Sequence, residues 1–255
     1  MEKRKIKLKI VQAVLIPVFV TVLILSSGAA IKIRSDSEPA AEYPRAPEIA
    51  ESPAVLPDPE IPAAENAERF AYLTELNDDF AAWINIEDTG ICYPVMYTPD
   101  DPDYYLKRDF YKADSKSGTP YIGKGCSLQS DNMIIYGHNM KNGTMFSDLV
   151  LYEDEGFYRS HPVISFDTIE ESSVYDIVAV FREKVHYQDE VGVFRYYDLV
   201  GDLSEEEFDE YIASVKKISL YDTGKTAVFG QQLLTLSTCA YHVENGRFAV
   251  VAVKR

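Results

Sequence analysis

With 255 residues and a formal net charge of −16, the chain is long enough for one sizeable domain plus accessory segments, and it lacks the basic footprint that nucleic acid requires. The sign is split: residues 1–34 hold seven Lys/Arg against one Glu, which leaves 18 basic against 40 acidic residues in the rest. A DNA- or RNA-binding role is therefore excluded as an expectation.

The N-terminal segment "MEKRKIKLKIVQAVLIPVFVTVLILSSGAAIKIR" places a basic cluster before an uncharged run from Ile10 to Ile31. As a helix that run spans about 33 Å, enough for a bilayer core. The positive flank favours an N-terminus in the cytoplasm. A cleaved signal peptide is the alternative, since "SSGAA" offers small residues, but the run is long for such a segment. The expectation is a single-pass membrane protein, with residues 1–34 as basic tip and transmembrane anchor and the remainder extracytoplasmic. Residues 35–62 contain seven prolines among Ala and Glu and show no apolar periodicity. They read as an extended stalk with too little apolar surface to fold. Residues 63–255 form the expected folded domain.

That domain should open with a helix, because Phe70, Leu73, Leu76 and Phe80 recur at helical spacing. A first strand is predicted around Trp83–Ile86. Further strand-like runs are "ICYPVM", "TPYIG", "NMIIYGH", "VISFDT", "SVYDIVAVF", "QLLTLST" and "RFAVVAV". Short helices are predicted near "GTMFSDLVLYED" and "EDEGFYRSH". The clearest later helix is "SEEEFDEYIASVKKIS", where Ser204 and Glu207 fit a capping box and Phe208, Tyr211, Ile212 and Val215 form a stripe. Seven or eight short strands separated by turn signals suggest a mostly β fold, a closed or nearly closed barrel with added helices. No internal repeat, zinc-type cysteine spacing, P-loop or GxGxxG is present.

Three cysteines, Cys92, Cys126 and Cys239, leave at least one thiol unpaired. Cys92 and Cys126 read as structural or incidental. Cys239 ends a strand-like run in which Leu233, Thr235, Ser237 and Cys239 share one face. Arg247 opens the next run. If the two pair as an antiparallel hairpin with Cys239 opposite Arg247, a thiol and a permanent cation project to the same side. Such a guanidinium can lower a thiol pKa or donate to an oxyanion; alternatively Arg247 is an ordinary polar residue on a strand. A cysteine nucleophile also needs an imidazole. His138 ends a buried-looking strand and is the leading candidate, with His242, three residues after the cysteine, as the second. His161 reads as a cap or turn residue, and His186 as part of a charged, exposed stretch.

"TLSTC", the downstream Arg247 and the upstream "YGHN" resemble the motif set of sortases, membrane-anchored cysteine transpeptidases of Gram-positive bacteria. The resemblance covers most of residues 67–255. The opening helix, "MFSDLVLYEDEGFYRSHPVISFDT" and the long helix before "SLYDTG" look like class B members. The resemblance implies an eight-stranded sortase-like barrel with an N-terminal helix and a long helix before the penultimate strand. It implies Cys239 as nucleophile, His138 as general acid/base and Arg247 as oxyanion stabiliser, with Ser237 and Thr238 lining the substrate groove. The implied reaction cleaves a C-terminal sorting signal after threonine through a thioester and transfers the protein to a peptidoglycan amine, with no metal or cofactor. A pilin-polymerising sortase and another exported cysteine peptidase are the alternatives. In peptidoglycan endopeptidases the cysteine typically precedes the histidine, and L,D-transpeptidases carry a compact "SHGC"-like motif, so order and spacing disfavour both. A non-catalytic adhesin barrel needs neither the thiol nor the aligned arginine.

Overall fold

The computed structural model describes Pro44 and residues 63–255. Helix α1 (Ala63–Leu76) leads into β1 (Phe80–Asn85) and β2 (Cys92–Met96), then a 3-10 turn at Tyr104–Lys107 and β3 (Tyr121–Ile122). After β4 (Asn132–Tyr136) come a 3-10 helix (Ser147–Glu153), α2 (Glu155–Ser160), β5 (Val163–Thr168) and β6 (Ser172–Lys184). Helix α3 (Glu205–Ile218), β7 (Leu233–Cys239) and β8 (Gly246–Lys254) complete the order.

The eight strands close into a barrel in the order β1-β2-β3-β4-β7-β8-β6-β5, with β1 pairing β5 to complete the ring. Closure leaves no sheet edge to guard. Two neighbours run parallel, β2 with β3 and β4 with β7; the other pairs are antiparallel. The parallel β4–β7 pair decides the site, because it sets the ends of two distant segments side by side. Its register runs from Asn132↔Leu233 to Tyr136↔Ser237.

Helix α1 buries Phe70 and Leu73 in a satellite core with Phe80, Trp83, Met96, Tyr105, Phe110 and Tyr121. The predicted stripe extends too far. Leu76 is exposed and Phe80 begins β1, because Asn77 ends the helix. Its side-chain Oδ1 accepts from the Asp79 amide at 3.0 Å and its carbonyl from the Phe80 amide at 3.1 Å, turning the chain into the strand. Helix α3 starts at the expected capping box between Ser204 and Glu207 and buries the expected four residues.

A polar chain crosses the main core: Tyr211 Oη lies 2.7 Å from Thr235 Oγ1, which donates to Asn132 Oδ1 at 3.1 Å. Asn132 Nδ2 in turn donates to the Leu199 carbonyl at 2.7 Å. Each buried group is satisfied, so the chain fixes α3 and the segment before it against β4 and β7. Burial pushes the Tyr211 hydroxyl up to about 12, so it stays protonated.

The expectation of a single-pass membrane protein with a cytoplasmic N-terminus is corrected by the structure: no helix among the described residues is long and apolar enough to cross a membrane. Helices α1 and α3 have 14 residues each, about 21 Å, against a hydrocarbon core of about 30 Å. The anchor expected in residues 1–34 lies outside the described residues, as does the stalk expected in residues 35–62 apart from Pro44.

Candidate active site

Strands β7 and β8 pair with Cys239 directly opposite Arg247. The turn between them holds Asn245 in the left-handed region (φ 56°) and places Gly246 hard against the Ala240 carbonyl, where a Cβ has no room. The Ala240 amide donates to the Gly246 carbonyl at 3.0 Å and closes the turn. Opposite residues of an antiparallel pair share a face, with Cβ atoms about 5 Å apart. The thiol and guanidinium therefore look to the same side.

His138 follows β4 and is bolted to the cysteine strand by three polar contacts. The Gly137 amide donates to the Ser237 carbonyl at 3.2 Å, and Thr238 Oγ1 donates to the Gly137 carbonyl at 2.6 Å. Asn139 Nδ2 donates to the Cys239 carbonyl at 3.0 Å. Gly137 must be glycine, since a Cβ there would sit 2.6 Å from the Phe146 ring. The His138 ring is oriented from the far side of the cavity, where Nε2 lies 2.8 Å from the Leu106 carbonyl. A carbonyl only accepts, so Nε2 carries the proton and Nδ1 is the nitrogen left to exchange one.

Cys239, His138 and Arg247 all line one cavity of about 480 Å³. His242, the second histidine candidate, is exposed in the β7–β8 turn and is not in that lining. Ser237 and Thr238 lie in the cavity wall with their hydroxyls committed to the protein: Thr238 to Gly137, and the fully buried Ser237 to Tyr196 Oη at 2.8 Å. His161 caps α2, its Nδ1 2.9 Å from the Phe157 carbonyl.

The other two cysteines differ in environment. Cys126 is buried, and desolvation pushes its thiol pKa up. Cys92 is exposed on β2 and accepts from Trp83 Nε1 at 3.4 Å. Neither lines the cavity.

The opposite wall was not legible in the sequence. Tyr105, Leu106, Tyr196 and Tyr197 contribute to it, together with Asp103 and Val185, while Tyr121 on β3 and Tyr136 on β4 add phenols from the barrel strands. Burial raises the hydroxyl pKa values of Tyr121, Tyr136 and Tyr196, so the phenols stay neutral despite the nearby Arg247 charge, which acts in the opposite direction. The wall is apolar in bulk and offers O–H groups, a surface suited to an extended peptide.

A sortase-domain family model matches residues 84–255. The chain belongs to the sortase family. Sortase B of Listeria monocytogenes is 31% identical over 182 residues, covering 70% of each chain. A mutant form of Clostridium perfringens sortase B superposes with a TM-score of 0.67 at 27% identity, over 76% of this chain and 89% of the other. A sortase B complexed with triglycine gives a TM-score of 0.65 at 25% identity, over 75% and 87%. This sortase is accordingly a cysteine transpeptidase on the closed barrel of sortase B structures. Among the described residues no group of three His, Cys, Asp or Glu could hold a metal ion.

Proposed function

We propose that residues 63–255 are the catalytic unit, with Cys239 as nucleophile, His138 as general acid and base, and Arg247 as the oxyanion donor. The observation that carries this reading is the shared cavity: the thiol, the imidazole and the guanidinium line one space, and of the three described cysteines only Cys239 lines it.

The Cys239 thiolate adds to the carbonyl carbon of a threonine in a sorting signal. The carbonyl oxygen becomes an oxyanion beside Arg247, whose guanidinium N–H groups can donate to it. The C–N bond then breaks, the leaving amine takes a proton from His138, and the acyl group stays on sulfur as a thioester. A second amine gives a proton to His138 and attacks the thioester carbon. The C–S bond breaks and the sulfur leaves as the thiolate, with the amine's proton held on His138, which restores the starting pair. The triglycine complex of the structural neighbour supports an amine acceptor, and the family resemblance points to peptidoglycan as its source. The tyrosines that line the cavity with Cys239 support a peptide substrate laid along it.

The test is incubation of the protein with a library of pentapeptide sorting signals, with and without an amine acceptor. Expected results are an acyl adduct on Cys239 by mass spectrometry and product formation that depends on the acceptor. Cleavage indifferent to threonine at the scissile position would overturn the substrate assignment.

A further inference from the structure

Arg247 has two flanks. On β7 its partner is Cys239; on β6 its partner is Glu183, so thiol, guanidinium and carboxylate form a row across three strands. Opposite charges placed directly across an antiparallel pair attract, and an Arg–carboxylate pair tends to become bidentate. Yet no ion pair joins Glu183 to Arg247. The guanidinium instead donates from Nη1 to the Gly246 carbonyl at 3.0 Å and, more weakly, to that of Asn245 at 3.5 Å. Glu183 Oε1 is turned to the His186 ring, 3.1 Å from Nε2, and accepts from the Lys184 amide at 2.9 Å.

His186 is far from the exposed residue its charged neighbourhood suggested: its side chain is only 10% exposed. Its Nδ1 lies 2.9 Å from Glu190 Oε2, and Glu190 is itself held by the Tyr187 amide at 2.8 Å and Lys184 Nζ at 3.3 Å. Arg195 Nη2 closes the loop on the Tyr187 and Glu190 carbonyls, at 2.5 and 2.7 Å. The His186 amide donates to Tyr197 Oη at 2.8 Å, and Tyr197 lines the cavity. Residues 183–197 are thus wound around an imidazole whose one outward bond toward the site restrains Glu183.

We propose that His186 is a positioning residue for the transpeptidation: by holding the Glu183 carboxylate, it keeps the Arg247 guanidinium available to the reacting carbonyl. This rests on Arg247 as the oxyanion donor. Without His186, Glu183 swings onto Arg247 and draws it from the cysteine, which weakens the transition state and leaves peptide binding largely intact.

The experiment compares kcat and KM for sorting-signal transpeptidation in the full chain and five variants. His186→Ala is expected to lower kcat about tenfold with KM little changed. His186→Gln, which keeps a donor for Glu183, should retain most of the activity. In His186→Ala/Glu183→Gln the carboxamide cannot capture the guanidinium, so kcat should return to within about twofold of Glu183→Gln alone. If His186 serves only to pack the loop, the loss is the same with Glu or Gln at 183, and that outcome overturns the proposal, as does an unchanged kcat in His186→Ala. Arg247→Ala separates the two readings. If it leaves kcat intact, the oxyanion assignment itself has failed; if it lowers kcat while the double variant stays slow, only the role of His186 is lost.

Discussion

The cavity has two walls of different make. One is formed by the ends of β4, β7 and β8 and carries His138, Cys239 and Arg247. The other is formed by residues 103–119 and 185–197, which present Leu106, three of the cavity tyrosines, Asp103 and Val185. On the strand wall Cys239 and Arg247 sit in ladders whose period of two sets their side-chain direction, and His138, just past β4, is held to the cysteine strand by the Gly137, Thr238 and Asn139 hydrogen bonds. On the loop wall, position depends on side-chain bonds: Tyr105 Oη donates to Asp79 Oδ2 at 2.7 Å and accepts from Asn77 Nδ2 at 2.7 Å. The proposed chemistry places the covalent step on the rigid wall and peptide recognition on the adaptable one.

The largest effects should come from the strand wall. Cys239→Ala is expected to abolish both the acyl adduct and turnover, whereas Cys92→Ala, on the far strand, should leave turnover at the parental level; mass spectrometry with a peptide substrate reads both. His138→Ala should cost about 10²–10⁴ in kcat/KM and Arg247→Ala about 10²–10³ in kcat. A loss for Arg247→Ala confined to KM would mean that the guanidinium binds peptide without stabilising the oxyanion.

Effects at the loop wall should be smaller and of another kind. Tyr105→Phe removes the hydroxyl that joins Asn77 to Asp79 and leaves the buried Asn77 amide one partner short. It should cost about 1–3 kcal/mol of stability in denaturant titration. The 3-10 turn carrying Leu106 loosens with it, so activity should fall by less than that of any strand-wall variant. A Tyr105→Phe protein as inactive as Cys239→Ala would erase the distinction between the walls.

The smallest effect concerns acid. Hydrogen bonding, first from His186, pulls the Glu190 carboxyl down to about 2. A depressed carboxylate contributes stability above its unfolded-state value, and loses it as pH falls through the folded one. The tether of residues 186–190 should therefore weaken only as pH drops from the ordinary carboxylate range toward about 2. Amide exchange at Tyr187 across that range would report it, and Glu190→Gln should flatten the response.

Several elements were legible because their causes are local. The Ser204–Glu207 box and the stripe of α3 are written within a dozen residues. The Cys239–Arg247 register follows from alternation plus a turn whose Asn245 tolerates positive φ. Others failed where a local pattern ran past a tertiary decision: Phe80 continued the helical spacing of α1 but belongs to a strand. His186 looked solvated among charges, yet those charges fold around it. The Leu106 carbonyl that orients His138 had no sequence signal, because every residue has a carbonyl.

By itself the sequence determined the candidates: a thiol and an arginine at the ends of neighbouring strand-like runs, and a histidine closing an apolar run. Only the tertiary structure shows that His138, and not His242, lines the cavity with Cys239, since that placement depends on the parallel β4–β7 pairing across about a hundred residues of chain. It alone also showed that Glu183 stands beside Arg247 and turns away. Side-chain alternation specifies which way a residue points; which partner it meets is set by strands and loops brought together from elsewhere in the chain.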